Sequence, residues 1–215
     1  MDLDLDLSVM QSRSALYKRY FDMFGATIGL IICLPISMII AILIRMESPG
    51  SVIFRQERVG KSGRPFVMYK FRTMCEDNPD LERDILANNP ELQANFDRFQ
   101  KIEDNPRLTT IGRILRRTSM DEIPQFWNIL KGDMSLVGPR PFLAEQMEIY
   151  GDAYREYIWL RPGMTGLWQV SGRNRLTFQD RVQLDIHYFR NQSFWLDLYI
   201  LFRTILVVVK QDGAY

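Results

Sequence analysis

The sequence predicts an α+β protein, mostly helical with a small β-hairpin, carried on one N-terminal membrane helix. Three observations carry that expectation. Residues 23–44 run MFGATIGLIICLPISMIIAILI without a charge, long enough to cross ~30 Å of hydrocarbon as a helix. Two β-prone runs, Val52 to Val59 and Arg64 to Arg72, flank Gly60-Lys61-Ser62-Gly63, which is a hairpin signal. Most later apolar positions recur every three or four residues, the spacing of one helix face. At 215 residues, 47% hydrophobic and 25% charged, the chain suits one globular domain plus an appendage and is not a disordered polymer. A formal net charge of +1 predicts no polyanion binding, so nucleic acid is not an expected partner. Cys33 and Cys75, the two cysteines, show neither a disulfide framework nor a metal-ligand spacing.

Residues 1–16 open on Asp-Leu-Asp-Leu-Asp. They are expected to form a flexible acidic tail, because the D-x-D triplet follows no strand and chain ends are usually poorly ordered. The stretch lacks the basic n-region of a signal peptide. Residues 17–47 form the anchor. Arg13, Lys18 and Arg19 precede the apolar run, and Arg45, Arg55 and Arg58 follow it. Positive charge marks the cytoplasmic side, so both ends read as cytoplasmic. Pro35 removes a helical hydrogen bond in mid-run. Two arrangements stay open: a dip into one leaflet that returns at Pro35, and a kinked helix that spans, since proline is tolerated in membrane helices.

Ser48-Pro49-Gly50 closes the anchor and leaves residues 48–215 as the main domain. In the second strand, alternation sends Val67, Tyr69 and Phe71 to one face and Met68, Lys70 and Arg72 to the other. The two cations are either an anion contact or a solvated strand face. Between residues 76 and 105, Leu81, Ile85 and Leu86, then Leu92, Phe96 and Phe99, predict one or two amphipathic helices that cover something. Thr109 to Arg117 reads as a short basic helix with Ile111, Ile114 and Leu115 inward. Phe194 to Val209 is apolar except for Asp197 and Arg203. It is short for a span; its aromatics suit a helix at headgroup level, with a buried core helix as the alternative.

Chemistry-bearing residues concentrate between Thr118 and Pro141. Asp121 and Glu122 sit near a predicted helix start, either in a Ser119-x-x-Glu122 capping box or just before Pro124 as first helical residue. There, the helix dipole favours an ionised carboxylate and an incoming phosphate. An ionised Asp is a competent nucleophile toward phosphorus, and neighbouring carboxylates hold Mg²⁺ together with substrate phosphates. Arg116, Arg117 and Arg140 are placed to neutralise phosphoryl charge, Arg140 from the stiff turn Pro139-Arg140-Pro141. By residue type alone, the Asp-Glu pair fits a helix cap as well. Further on, Gln169, Arg173 and Asn174 lie in turn-rich sequence, facing a nucleotide or sugar or packing the loop.

Lys70-Phe71-Arg72-Thr73-Met74, Arg116 to Gln125, Lys131-Gly132-Asp133-Met134-Ser135, Gly138-Pro139-Arg140-Pro141, Arg161 to Gly166 and Gln169 to Asn174 occur in one characteristic order. From about Tyr17 to the end, the chain resembles the bacterial sugar transferases, the monotopic polyprenyl-phosphate phosphoglycosyl transferases. The resemblance implies a re-entrant, proline-broken membrane helix and a cytosol-facing catalytic domain with interfacial helices, on the bacterial inner membrane. It implies that Asp121 is a nucleophile that takes hexose-1-phosphate from a UDP-sugar, releasing UMP. It gives Glu122 as the partner of Asp121 in a Mg²⁺-associated dyad, and polyprenyl (undecaprenyl) phosphate as acceptor. Arg116 and Arg140, flanked by Pro139 and Pro141, match phosphate- or nucleotide-side positions, with Lys70 and Arg72 as weaker matches. Leu167-Trp168 resembles the branch handling galactose or glucose phosphates in exopolysaccharide and O-antigen assembly. A structural role for His187 follows, since the chemistry lies elsewhere. A non-catalytic nucleotide-sugar scaffold and a phosphohydrolase are the alternatives, and homo-oligomerisation stays open.

Overall fold

The computed structural model describes the backbone of residues 2–75, 81–99, 102, 105–151 and 153–210; the side chains of residues 2–15, 82, 83, 153, 156 and 174 fall outside the description. Helix α1 spans Asp2–Glu47 and runs through Pro35. It begins at Asp2, where the sequence predicts a flexible tail; acidic residues at a helix N-terminus complement the dipole, and leucine favours helix. From Lys18 onward one face of α1 packs on the domain at helical spacing. Asp22 accepts from the Leu136 N–H and the Ser135 hydroxyl, both at 3.0 Å. Ala26 is fully buried in a core cluster with Ile129 and Leu136. Ile40 and Ile44 pack with Phe71, Leu115 and Ile123, and Glu47 accepts from the Thr110 N–H at 2.6 Å. The opposite face is exposed, with Phe24 68% and Ile32 70% accessible.

Strands β1 (Ile53–Val59) and β2 (Pro65–Phe71) form the expected antiparallel hairpin, pairing Arg58 with Phe66 and Phe54 with Lys70. Phe66, Met68 and Lys70 share one face by alternation; Phe66 and Met68 are buried in the core. Arg72 lies beyond the strand end and leaves that pattern. Its guanidinium donates to the Pro49 and Ser48 carbonyls, tying down the turn that follows α1.

The polar excursion carries α2 (Leu81–Ala87) and α3 (Pro90–Phe99), the two predicted helices. None of the described residues of α3 is fully buried. The excursion is closed at its base, where Met74 bridges Leu108 and Cys75 N–H donates to the Arg107 carbonyl at 2.9 Å. Helix α4 (Thr110–Thr118) is capped by the Thr109 hydroxyl, which accepts from Gly112 N–H at 2.9 Å. Leu115 faces inward as expected, but Ile114 is 54% exposed. The buried stripe instead runs through Gly112, where a Cβ would come within 2.0 Å of the Thr73 carbonyl.

Helix α5 (Gln125–Lys131) packs on α1, and β3 (Ser135–Val137) pairs in parallel with β4 (Gly163–Thr165). Between them lie the short helices α6 (Met147–Tyr150) and α7 (Ala153–Tyr157). Next come α8 (Leu167–Val170), α9 (Phe178–Asn191) and α10 (Phe194–Lys210). Helix α10 buries Asp197 and Ile200 and exposes Trp195, Tyr199, Phe202 and Val209. Lys18 pairs with Asp197 at 2.5 Å, which clasps α1 to α10. The chain is α+β, with two small two-stranded sheets among the described residues.

Candidate active site

The two acids lie on a 3₁₀ turn, Met120–Glu122, that joins α4 to α5. Neither predicted cap forms. Ser119 adopts the left-handed region (φ 58) and caps nothing with its side chain, and Pro124 is the N-cap of α5, one position earlier than predicted. A non-glycine residue at positive φ beside functional groups is a costly conformation that packing must hold. Here Arg173, itself at φ 50, donates to the Ser119 hydroxyl at 2.7 Å.

Asp121 is 7% exposed. Lys70 Nζ lies 2.7 Å from Glu122 Oε1 and 3.8 Å from Asp121 Oδ2, so the period-two projection of Lys70 reaches both acids. Burial pushes Asp121 up to about 6; Lys70 and Arg116 pull against this and Glu122 adds to it. For Glu122, burial acts upward too, but Lys70, its hydrogen bond, Arg140 and Arg173 outweigh it and hold the group below its ordinary range. The environment therefore separates two adjacent carboxyls, as sites with paired acids commonly do.

A cleft opens beside the pair, with Glu122 rather than Asp121 in its wall; the rest of the lining is Arg58, Met68, Lys70, Gln125, Arg140, Pro141, Gly163, Met164 and Gln169. Its cations come from β1, β2 and the Gly138–Pro141 segment. Burial and then Arg140 lower Arg58 to about 9. Two guanidiniums that repel one another in a dry wall favour an anion between them. The Arg58 guanidinium also donates to the Pro141 carbonyl at 3.2 Å, and the Arg140 guanidinium lies 5.2 Å from the centroid of the Trp168 ring. Gly163 N–H donates to the Pro139 carbonyl at 2.8 Å, so Pro139 meets β4 through its backbone. Gln169 Oε1 is buried without a partner beside the cleft, an acceptor left for a ligand N–H or hydroxyl.

The structure thus brings together Asp121, Glu122, Lys70, Arg140, Pro141 and Gln169. Arg116 stands behind Asp121, donating from Nε to Thr73 Oγ1 at 3.0 Å. Arg173 contributes through Ser119 and its charge. Arg72 lies elsewhere, Arg117 is exposed outside the lining, and the Asn174 side chain falls outside the described residues. His187 is exposed on α9. Sequence reasoning missed Arg58 and Gln125. Hairpin register supplies a signal for Arg58, since its pairing with Phe66 puts it on the Lys70 face. Nothing local marks Gln125.

The carboxyl pair also fits a divalent cation. Two adjacent carboxyls, Glu122 in the cleft lining and Asp121 beside it, would supply two oxygen donors to Mg²⁺ alongside substrate phosphates, and the pair already accepts the Lys70 ammonium. Among the described residues no cluster of three or more His, Cys, Asp or Glu forms a fuller site.

The model of the bacterial sugar transferase family matches residues 13–211. The chain belongs to the bacterial sugar transferase family. Among similar proteins of this family is a UDP-galactose-lipid carrier transferase of Erwinia amylovora, 42% identical over all of this chain and 45% of its own length. An undecaprenyl-phosphate galactose phosphotransferase of Salmonella typhimurium is 41% identical over the same shares. The exopolysaccharide production protein ExoY of Sinorhizobium fredii is 39% identical over 92% of this chain and 88% of its own length. The chain therefore spans about half the length of the first two relatives and nearly all of the third.

Proposed function

We propose that this bacterial sugar transferase moves a hexose-1-phosphate from a UDP-sugar to polyprenyl phosphate through an aspartyl-phosphosugar intermediate. The observation that carries the proposal is a buried carboxyl pair joined through Lys70, beside a cleft that Glu122 and three cations from separate elements line. An Asp121 oxygen attacks the sugar-linked phosphorus, and the bond from that phosphorus to the bridging oxygen breaks. UMP leaves with the bridging oxygen. A polyprenyl phosphate oxygen then attacks the same phosphorus, breaking the acyl–phosphate bond and restoring the Asp121 carboxylate; no net proton is consumed. Glu122, kept ionised, orients Lys70 between the acids. Arg58 and Arg140 balance charge on the phosphoryl oxygens. Asp121 and Glu122 would hold Mg²⁺, which would supply positive charge against the donor diphosphate. Gln169 offers its free oxygen to the donor, and the names of two relatives favour UDP-galactose.

Membrane attachment follows from α1, the one helix among the described residues long and apolar enough to cross a bilayer. Both ends of α1 are tied to the same domain, Lys18 to Asp197 and Glu47 to the Thr110 N–H, while its apolar middle is left largely exposed for lipid to cover. This supports an anchor that enters one leaflet and returns, with both ends and the domain on the cytoplasmic face of the inner membrane. Assaying UMP release across a UDP-sugar panel, with and without polyprenyl phosphate, tests the reaction. UDP-sugar binding without UMP release would favour a scaffold; free sugar phosphate without an acceptor would favour a hydrolase.

A further inference from the structure

A second buried acid lies beside Pro139 of the Gly138–Pro141 segment. Asp185, on α9, is 5% exposed, and its Oδ2 accepts from the Tyr150 hydroxyl at 3.2 Å. Oδ1 makes no hydrogen bond, and the carboxyl lines a small cavity together with Tyr150 and Pro139, the residue before Arg140. The surroundings are apolar: Phe142 stacks on Tyr150 at 4.3 Å and meets Tyr157 edge-on at 4.5 Å. Tyr157 in turn donates to the carbonyl of Val59, next to Arg58. An apolar side chain at 185 would fill this space without the desolvation cost of a carboxyl. What a carboxyl adds is a directed acceptor for Tyr150, whose ring stacks on Phe142 just past Arg140.

We infer that Asp185 is a positioning residue: through Tyr150 it holds the segment from Pro139 to Phe142, so that the Arg140 guanidinium, steadied on Trp168, meets the donor phosphates in one orientation. This rests on the proposed transfer reaction. Burial pushes Asp185 up to about 8, so a neutral, hydrogen-bonding side chain of the same shape should serve.

The test is a double-mutant cycle on the full chain, reading UMP release against UDP-galactose concentration, with melting temperature alongside. Asp185→Ala should lower kcat/KM by about 10- to 100-fold, the scale of a misplaced substrate contact. Asp185→Asn should restore it to within about threefold. In an Arg140→Lys background, Asp185→Ala should cost less than about twofold, because coupled residues are non-additive. Wild-type kcat/KM in Asp185→Ala, an equal loss in both backgrounds, or failure of the Asn variant to rescue overturns the inference. If Asp185→Ala does not fold, Tyr150→Phe is put through the same cycle. A wild-type protein that releases no UMP from any donor sinks the transfer reading instead. UDP-galactose affinity by calorimetry then carries the cycle for Asp185.

Discussion

In the proposed transfer Asp121 attacks phosphorus as a carboxylate, yet its burial favours the neutral form and sets it near 6. Log kcat/KM is therefore expected to rise with pH through about 6 and level above it; a flat profile between pH 5 and 8 contradicts this. Lys70→Met removes a positive neighbour of Asp121, so the midpoint should move to more alkaline pH. The same conflict appears in stability. A carboxyl raised in the folded state above its ordinary 3.8 favours folding at low pH and loses that contribution as pH climbs through about 6. Above it, the ionised group costs up to ~3 kcal/mol. Asp121→Asn should thus abolish UMP release and raise the melting temperature at pH 7.5, less whatever Lys70 loses with its partner. A lower melting temperature would show that the Lys70 contact outweighs burial.

At the scale of elements, the clasp between α1 and α10 and the seat of α4 set where the acids lie. Tyr188 donates to Asp197 at 2.6 Å while Lys18 pairs with the other oxygen. Asp197→Ala takes the charged partner from Lys18 and leaves the Tyr188 hydroxyl to the Val137 carbonyl at 3.2 Å; it should cost about 3 kcal/mol, toward the lower end for a broken buried pair because Lys18 is partly exposed. The urea midpoint reads it. Gly112→Ala drives a Cβ to 2.0 Å from the Thr73 carbonyl, so α4 must shift. A loss of about 2 kcal/mol or more is expected, with weaker turnover because Arg116 holds Thr73 from the same helix. Helical periodicity gave α4 its length and basic face, but Ile114 turned outward because periodicity does not say which neighbouring element a face will meet.

Over the whole molecule, the exposed faces of α1 and α10 form an apolar surface too large for a protein fully surrounded by water. Trp195 and Phe202, 76% and 62% exposed, contribute little to the core. Exchanging both for serine should lower cosedimentation with phospholipid vesicles severalfold and leave the melting temperature within a degree or two. Unchanged vesicle binding would place α10 away from the bilayer.

The sequence by itself determined the features that depend on neighbours along the chain. These are the 22-residue uncharged run, the hairpin, the amphipathic excursion, and the adjacency of Asp121 and Glu122 to Arg116. Alternation also brought Lys70 to the correct side of its strand, and failed at Arg72 because the strand stops at Phe71. Tertiary packing alone puts Arg58 and Arg140 in one wall, brings Gln125 and Gln169 to the cleft, and seats Asp185 against Tyr150 beside Pro139. The physical reason is that local spacing fixes which way a side chain leaves its own element. Which elements face one another is set by burying apolar faces that lie dozens of residues apart, and the site is built where they meet.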